Sequence, residues 1–467
     1  MIDLTIAEIA EAVSGRIVRA PDAQAIVPAA EVQTDSRTVA TGSIFFALRG
    51  ESTDGHLFAP VAVDTGAALL VVERELDLDV PQVIVADSLV ALSDLAREVV
   101  ARVRARRALR VVAVTGSNGK TTTKNMLRAI LAAEGPTVAP LGSFNNEMGA
   151  PISMLGVDAD TRFLVVEMGA DAVGDVAKLS SVTKQDVGIV LTVGLAHVGK
   201  FGSQAEIALA KSEMVSGLDQ DAVAVLNADD PRVADMAAVT KARVVRFGLR
   251  DDADVRAEDV ETSVAGTTFT LMTGGTRTPV QLRILGEHHV TNALAAITAT
   301  LELGIPVTRS VPALEAMVRA ERWRMELLER EDGVTVINDA YNASPDSMAA
   351  ALKTLAQLTR DGRRSVAILG EMAELGEFAD DEHDRIGRLA VRLNVRQLVV
   401  VGHGARHIHN AAGLEGSWDG ESVLVATPDE AYDLVRDQLR RGDVVLVKSS
   451  ASAKLKYLGD RIAGVTA

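Results

Sequence analysis

Residues 111–124 read Val-Val-Ala-Val-Thr-Gly-Ser-Asn-Gly-Lys-Thr-Thr-Thr-Lys, and few folds accept such a segment. The apolar, β-branched run Arg110–Thr115 predicts a buried strand, and Lys120–Glu134 predicts a helix. Between them the chain must turn tightly, which Gly116 and Gly119 permit. Such a turn aims successive backbone N–H groups inward and ends at a helix N-terminus, a ready site for phosphate. Lys120 would reach the β- and γ-phosphates, and the Thr121 hydroxyl would ligate Mg²⁺. A nucleotide triphosphate is therefore expected on Gly116, Ser117, Asn118, Gly119, Lys120, Thr121 and Thr122. The first glycine of the standard G-x-x-x-x-G-K-[ST] pattern would fall on Val114, so an ordinary strand–helix turn would leave much the same trace.

The surrounding chain supports an α/β fold of three domains. Within residues 1–85, Thr5 and Glu8 form a predicted capping box ahead of the stripe Ile6, Ile9, Ala10 and Val13. Ser43–Leu48 and Ala68–Glu73 predict buried strands in the same small α/β domain. Ser88–Arg106 predicts a helix whose basic end (Arg102, Arg104, Arg106, Arg107) reads as a solvated face. Residues 86–320 alternate short apolar strands (Arg110–Thr115, Phe163–Met168, Val187–Val193, Ala222–Asn227) with helices, the mark of a doubly wound, mostly parallel sheet. Residues 253–285 carry Thr- and Val-rich alternation and predict an antiparallel β-extension, closed by a helix at Glu287–Leu303. Residues 321–467 repeat the alternation at Val334–Ile337, Ser365–Leu369, Gln397–Val401, Ser422–Ala426 and Asp443–Val447, predicting a Rossmann-like domain.

Composition narrows the class. The chain of 467 residues contains no cysteine, which excludes disulfides, thiolate metal sites and a cysteine nucleophile, and suits a reducing cytoplasm. No apolar run approaches a membrane span, and Asp3, Glu8 and Glu11 interrupt any signal-like stretch, so no membrane insertion is expected. A net charge of −16 argues against nucleic acid as a partner. An anionic substrate would have to be held by local cations and backbone N–H groups.

The variant Thr115-Gly-Ser-Asn-Gly-Lys-Thr121 resembles the phosphate loop of the Mur ligases and of folylpolyglutamate synthetases. Thr34-Asp-Ser-Arg37, Gly42–Gly50 and Asp54-Gly-His56 resemble the N-terminal UDP-sugar domain of the Mur ligases, which folylpolyglutamate synthetases lack. Glu167-Met-Gly169, Ala196-His197 through Phe201-Gly-Ser203, Ala210-Lys-Ser-Glu213, Asn227-Ala-Asp-Asp230 and His288–Asn292 resemble central-domain motifs of that family. Asn338–Met348 and Leu369-Gly-Glu-Met-Ala-Glu-Leu-Gly376 resemble its branch that adds D-alanyl-D-alanine. The Asp-Asn-Pro-Arg motif of the branch that adds diaminopimelate is absent. A degenerate, non-catalytic ATP-binding relative would be expected to lack some of these residues. The sequence departs from the family pattern at His289, at Trp323 before Arg324, and in Val447–Ala453.

The resemblance implies an ATP-dependent ligation of D-alanyl-D-alanine to the terminal carboxylate of UDP-MurNAc-tripeptide through an acyl phosphate, by a cytoplasmic monomer. It places Glu167 on Mg²⁺ with Thr121, although a carboxylate there could also cap a helix. His197 would ligate Mg²⁺ or orient a phosphate, or be a hydrogen-bonded loop residue. Lys211 would carry a CO₂-derived carbamate on the second metal, or pair unmodified with phosphate or Glu213. Lys120, Glu167, His197 and Lys211 form the implied catalytic set. Asn292 would read adenine, Arg324 the γ-phosphate and Asp339 the ribose, with Tyr341 or Asn342 near the nucleotide. Asn145 and Asn146 would donate to substrate or serve a turn. Ser36 and Arg37 would hold the uridine diphosphate, with Asp35 orienting Arg37. Two domains closing on one ATP require a hinge near residues 320–330.

Overall fold

Strands buried on both faces need side chains that are apolar throughout, and Arg110–Thr115 meets that demand at every position but its two ends. It lies inside a nine-stranded sheet of the computed structural model, which describes residues 1–465 except 28–30, 51–52, 107, 141, 320 and 416–417. From one edge the order is Thr276–Leu282, Gly266–Thr273, Val255–Ser263, Arg243–Gly248, Val223–Asn227, Val187–Val190, Arg110–Thr115, Phe163–Glu167 and Thr137–Val138. The strands from Arg243–Gly248 through Thr137–Val138 run parallel, and the first three form the expected antiparallel extension. Arg110–Thr115 has Phe163–Glu167 on one side and Val187–Val190 on the other, so the chain order reverses there. Ligands of such sheets gather at the carboxyl ends of strands beside that switch point, and the glycine turn starts there.

The helix Lys120–Ala132 turns Met126, Leu127, Ile130 and Leu131 into a core shared with Ala293, Leu294 and Ile297 of the helix Glu287–Glu302. Each large buried side chain contributes roughly 1.5–3 kcal/mol, so the two helices fix one another beside the turn. A six-stranded sheet holds the C-terminal segment, in the order Glu326–Glu329, Thr335–Asn338, Val444–Lys448, Ser365–Leu369, Gln397–Val401 and Glu421–Val425, parallel except for its first strand. A five-stranded sheet, Arg16–Val18, Gln82–Ile84, Leu69–Val72, Ile44–Phe46 and Val32–Gln33, holds the N-terminal one.

The Thr5–Glu8 capping box forms, with Ile6, Ile9 and Ala10 buried behind it. Several strands went unforeseen, among them the short Arg16–Val18, Val32–Gln33, Gln82–Ile84 and Thr137–Val138, and two more are instructive. Arg243–Gly248 has charges at its first and fourth positions, and Glu326–Glu329 is a short antiparallel edge in the segment expected to be a hinge. The basic end of the helix Ser88–Arg106 is also less solvated than expected. Arg102 pairs with Glu98 and Glu8, and Arg104 with Asp186, while Arg107 lies outside the described residues. No helix among the described residues is long and apolar enough to cross a membrane.

Candidate active site

The glycine turn is closed from above by the helix Glu287–Glu302. Gly119 has φ +87°, and a β-carbon there would meet Asn292 Oδ1 at 2.3 Å, so only glycine lets Asn292 approach the loop. Lys120 Nζ donates to Gly116 O at 2.7 Å, and burial pushes its pKa down. Behind the loop, Glu167 ends its strand fully buried. Its Oε1 accepts from Thr121 Oγ1 at 3.2 Å and from Asn145 Nδ2 at 2.7 Å. Its Oε2 is buried and has no hydrogen-bond partner.

Lys124, which the sequence offered without a role, is buried and donates to Pro140 O at 2.8 Å and Gly142 O at 2.5 Å. It thereby fastens the segment bearing Ser143 and Asn145 to the helix that begins at Lys120. Asn146 takes the turn role, its Oδ1 accepting from Gly149 N at 2.8 Å.

Lys120, Thr121, Asn145, Glu167 and Asn292 line a cavity of about 670 Å³ with Ser117, Asn118, Thr122 and His197 on one side and Arg324, Asp339, Tyr341 and Asn342 of the C-terminal segment on the other. Trp323 (φ +59°) and Met325 (φ +49°) take left-handed backbone on either side of Arg324. Arg324 lies over the Tyr341 ring at 4.3 Å and donates to Ser143 Oγ at 3.3 Å. Asp339 has both oxygens engaged: Oδ1 accepts from Met325 N at 3.0 Å and Oδ2 from Lys448 Nζ at 2.7 Å. Lys448 belongs to the segment that departs from the family pattern, and the fold makes it part of the cavity wall. His288 and His289 also line it; burial lowers His288 to about 4, and His289 Nε2 is buried without a partner.

A second lobe of about 410 Å³ opens behind Lys120 and is lined by Asn145, Asn146, Asp171, His197, Lys200 and Lys211. Lys211 is 3% exposed, and burial, followed by the charge of Lys120, pushes its pKa down to about 7. Glu213 is already committed, accepting from Gly174 N at 2.6 Å and Ala177 N at 2.9 Å, so it caps another helix rather than holding Lys211.

His197 Nδ1 faces the Glu374 carboxylate, and Lys200 pairs with both Glu374 (3.0 Å) and Asp171 (2.9 Å). Gly199 N donates to Glu374 O at 3.0 Å, and Ser344 Oγ donates to Asn118 Oδ1 at 2.9 Å. The C-terminal segment is thus closed onto the phosphate loop. A β-carbon on Gly199 would lie 2.6 Å from Gly376 N. The substitution Gly199→Val is therefore expected to wedge this contact open. Its radius of gyration in small-angle scattering, with an ATP analogue and substrate present, should exceed that of the unaltered chain; superimposable profiles would sink the closure argument.

Ser36 and Arg37 lie outside these cavities. Ser36 is buried, while Arg37 is exposed and forms a bidentate pair with Asp35, whose carboxyl it holds down at about 2. The neighbouring Thr34 hydroxyl lies 3.8 Å from Met148 Sδ, just beyond the Asn145 turn.

No cluster of three or more His, Cys, Asp or Glu able to hold a metal ion occurs among the described residues. The orphaned Glu167 oxygen beside the Thr121 and Ser143 hydroxyls suits a hard cation that takes its remaining ligands from phosphate and water.

Three family models match. The one described as "Mur ligase family, catalytic domain" covers residues 29–114, "Mur ligase middle domain" covers 114–300, and "Mur ligase, glutamate ligase domain" covers 323–451. The UDP-N-acetylmuramoyl-tripeptide–D-alanyl-D-alanine ligase of Mycobacterium tuberculosis (strain ATCC 25618 / H37Rv) is 43% identical, spanning 99% of this chain and 98% of that protein. The Escherichia coli (strain K12) protein of the same name is 33% identical over 98% and 97%. Among solved structures, MurF from Acinetobacter baumannii matches with a TM-score of 0.89 at 30% identity over 99% of both chains. MurF ligase from Thermotoga maritima, solved in complex with ADP, matches with 0.82 at 26% identity over 93% and 97%. With full-length relatives at such identity, the chain belongs to the Mur ligase family.

Proposed function

We propose that this chain is a MurF-type ligase, which joins D-alanyl-D-alanine to the terminal carboxylate of UDP-MurNAc-tripeptide at the expense of ATP. The products are UDP-MurNAc-pentapeptide, ADP and phosphate, made in the cytoplasm by a monomer of three domains (1–85, 86–320 and 321–467). The observation that carries the proposal is the 670 Å³ cavity in which Lys120, Thr121 and Glu167 face Arg324 and Asp339 across a domain boundary. Such an arrangement assembles only when two domains meet, as a reaction with three substrates requires.

A carboxylate is a poor electrophile, so the γ-phosphoryl group is first moved to it, releasing ADP and forming an acyl phosphate. The amine then attacks the acyl carbon; an N–C bond forms, the C–O bond to phosphate breaks, and the amine loses a proton. Lys120 and Arg324 converge on the γ-phosphate and offset its charge as it moves. Thr121, Glu167 and His197 would hold Mg²⁺, with Lys211 as a carbamate at a second ion, and the metal would supply positive charge that offsets the phosphate charge facing the incoming carboxylate. Asn292, against Gly119, and Asp339, held by Lys448, grip the nucleoside. Asn145, and Asn146 through the amide nitrogen that its turn leaves over, orient the acyl substrate, whose uridine diphosphate end is taken by Ser36 and Arg37.

Release of ADP should require UDP-MurNAc-tripeptide and D-alanyl-D-alanine together, assayed with tripeptides ending in lysine and in diaminopimelate. Release driven by diaminopimelate and the dipeptide-stage nucleotide instead would reassign the branch. Release independent of both substrates would reduce the chain to a nucleotide-binding partner.

A further inference from the structure

The last helix, Leu455–Ala463, carries a buried carboxylate for which the reaction described above has no use. Asp460 is 3% exposed and reaches the linker at Arg322 and Trp323. Its Oδ1 accepts from Trp323 Nε1 at 3.1 Å and from Asn338 Nδ2 at 3.0 Å. Its Oδ2 accepts from Trp323 Nε1 at 2.9 Å and from Arg322 Nη2 at 3.0 Å. Each of these contacts brings a donor, so the side chain facing them must accept on both oxygens, as a carboxylate does. Asn338 is itself fully buried at the end of the strand Thr335–Asn338, and its Nδ2 also donates to Lys456 O at 2.9 Å. A β-carbon on Gly459 would lie 2.5 Å from Asn338 Cγ, so the helix presses directly on that strand end. Asp460 thereby ties the linker to a fixed point of the C-terminal sheet.

Arg324 needs such an anchor. Trp323 and Met325 flank it in left-handed backbone, which L side chains rarely adopt and which persists only where the surroundings hold it. Trp323 stands at a departure from the family pattern. Glycine would take this conformation freely, whereas the indole gives the linker a handle. The ring is held by two cations as well, the Arg322 guanidinium at 4.8 Å and the Lys456 ammonium at 4.5 Å from its centre. The Trp323 carbonyl accepts from Tyr341 N at 3.1 Å, and the Tyr341 ring is the surface on which the Arg324 guanidinium lies. Arg324 Nε is buried without a hydrogen-bond partner, so the aim of this side chain depends on that framework together with Ser143. We infer that Asp460 is a positioning residue, which through the Trp323 indole sets Arg324 for the γ-phosphate. The inference rests on the ligase reading above, which gives Arg324 its task.

The test is a double-mutant cycle on the full chain, read as ADP release with ATP, UDP-MurNAc-tripeptide and D-alanyl-D-alanine. Asp460→Asn turns an amide NH₂ toward donors and should lower kcat about 10-fold or more, with the KM of tripeptide and dipeptide within about twofold. Trp323→Phe keeps a ring and leaves Arg322 and Asn338 on Asp460; it should lower kcat about 3- to 10-fold, and it carries the cycle should Asp460→Asn fail to fold. In an Arg324→Ala background each substitution should cost less than about twofold more, because its route to the reaction is gone. Losses that multiply in that background would reveal a general structural role and overturn the assignment, as would an unchanged kcat in both single variants. The indole supplies a second readout that needs no turnover. The chain has two tryptophans, so Trp418→Phe leaves Trp323 as its sole indole. In that background Asp460→Asn should move the emission to longer wavelength and increase quenching by acrylamide; an unchanged spectrum would show that Asp460 does not hold the ring and would overturn the inference. Absence of turnover by the unaltered chain would refute the ligase reading and the task of Arg324 with it, whereas turnover with multiplying losses would refute the positioning role alone.

Discussion

Replacing Lys120 with alanine is expected to lower kcat by about 10²- to 10³-fold, with a much smaller change in the KM of ATP. In the proposed reaction the loop backbone and the N-terminus of the helix Lys120–Ala132 would supply N–H donors to the phosphates in the ground state, and these survive the substitution. Lys120 would differ in bringing a full charge to the group that moves. It is half-buried and lines both the 670 Å³ cavity and the lobe containing Lys211, so its field is only partly screened. Its Nζ already rests on Gly116 O, at 2.7 Å, which aims it along the loop. Lys120→Arg should recover little, because a planar fork does not fit where a compact ammonium is held by one carbonyl. Steady-state rates with direct ATP binding would separate these effects. A variant that keeps more than about a tenth of kcat, or one that loses ATP binding outright, would contradict a role in the phosphoryl-transfer step.

The sequence revealed the parts of the fold that local physics determines. Buried parallel strands need unbroken β-branched runs, so Arg110–Thr115, Ser365–Leu369 and Gln397–Val401 could be read with their ends correct. Arg243–Gly248 could not, because a strand interrupted by Arg246 lacks that signature. The glycine turn and its helix were equally legible, since their geometry is set by neighbouring residues.

What escaped depends on contacts between distant segments. Glu374 could be read as part of a motif, but nothing in its neighbourhood announces that it would meet His197 and Lys200. Lys448 ends a strand as many lysines do, and only the fold pairs it with Asp339. The same holds for Lys124, whose role is to tie a loop down. Asn292 shows a further limit. An amide in mid-helix suggests a specific partner, but its approach to Gly119 depends on how the helices Lys120–Ala132 and Glu287–Glu302 pack.

Lys211→Ala is the second substitution with a large expected effect, a loss of about 10²-fold or more in kcat, and it should be partly reversed by short carboxylates such as acetate or formate. A buried ammonium close to Lys120 faces a like charge without a carboxylate of its own, since Glu213 caps another helix. Burial resolves this by pushing Lys211 down to about 7, so that a substantial fraction is neutral amine near neutral pH. That neutral amine is the form able to attack CO₂: a nitrogen–carbon bond forms, one proton leaves, and the cation becomes an anionic oxygen ligand. The sign of the pH response follows. Above about 7 the amine is free to react, and below it protonation blocks the addition, so activity in CO₂-limited buffer should fall as pH drops through that value and recover on adding bicarbonate. The alanine variant rescued by acetate has no such amine and should lack that bicarbonate response. Rescue should scale with carboxylate concentration and be absent with chloride, because the missing element is a pair of oxygens rather than a negative charge alone. Full activity of Lys211→Ala, or indifference of the variant to every carboxylate tried, would show that Lys211 serves as an ordinary buried lysine.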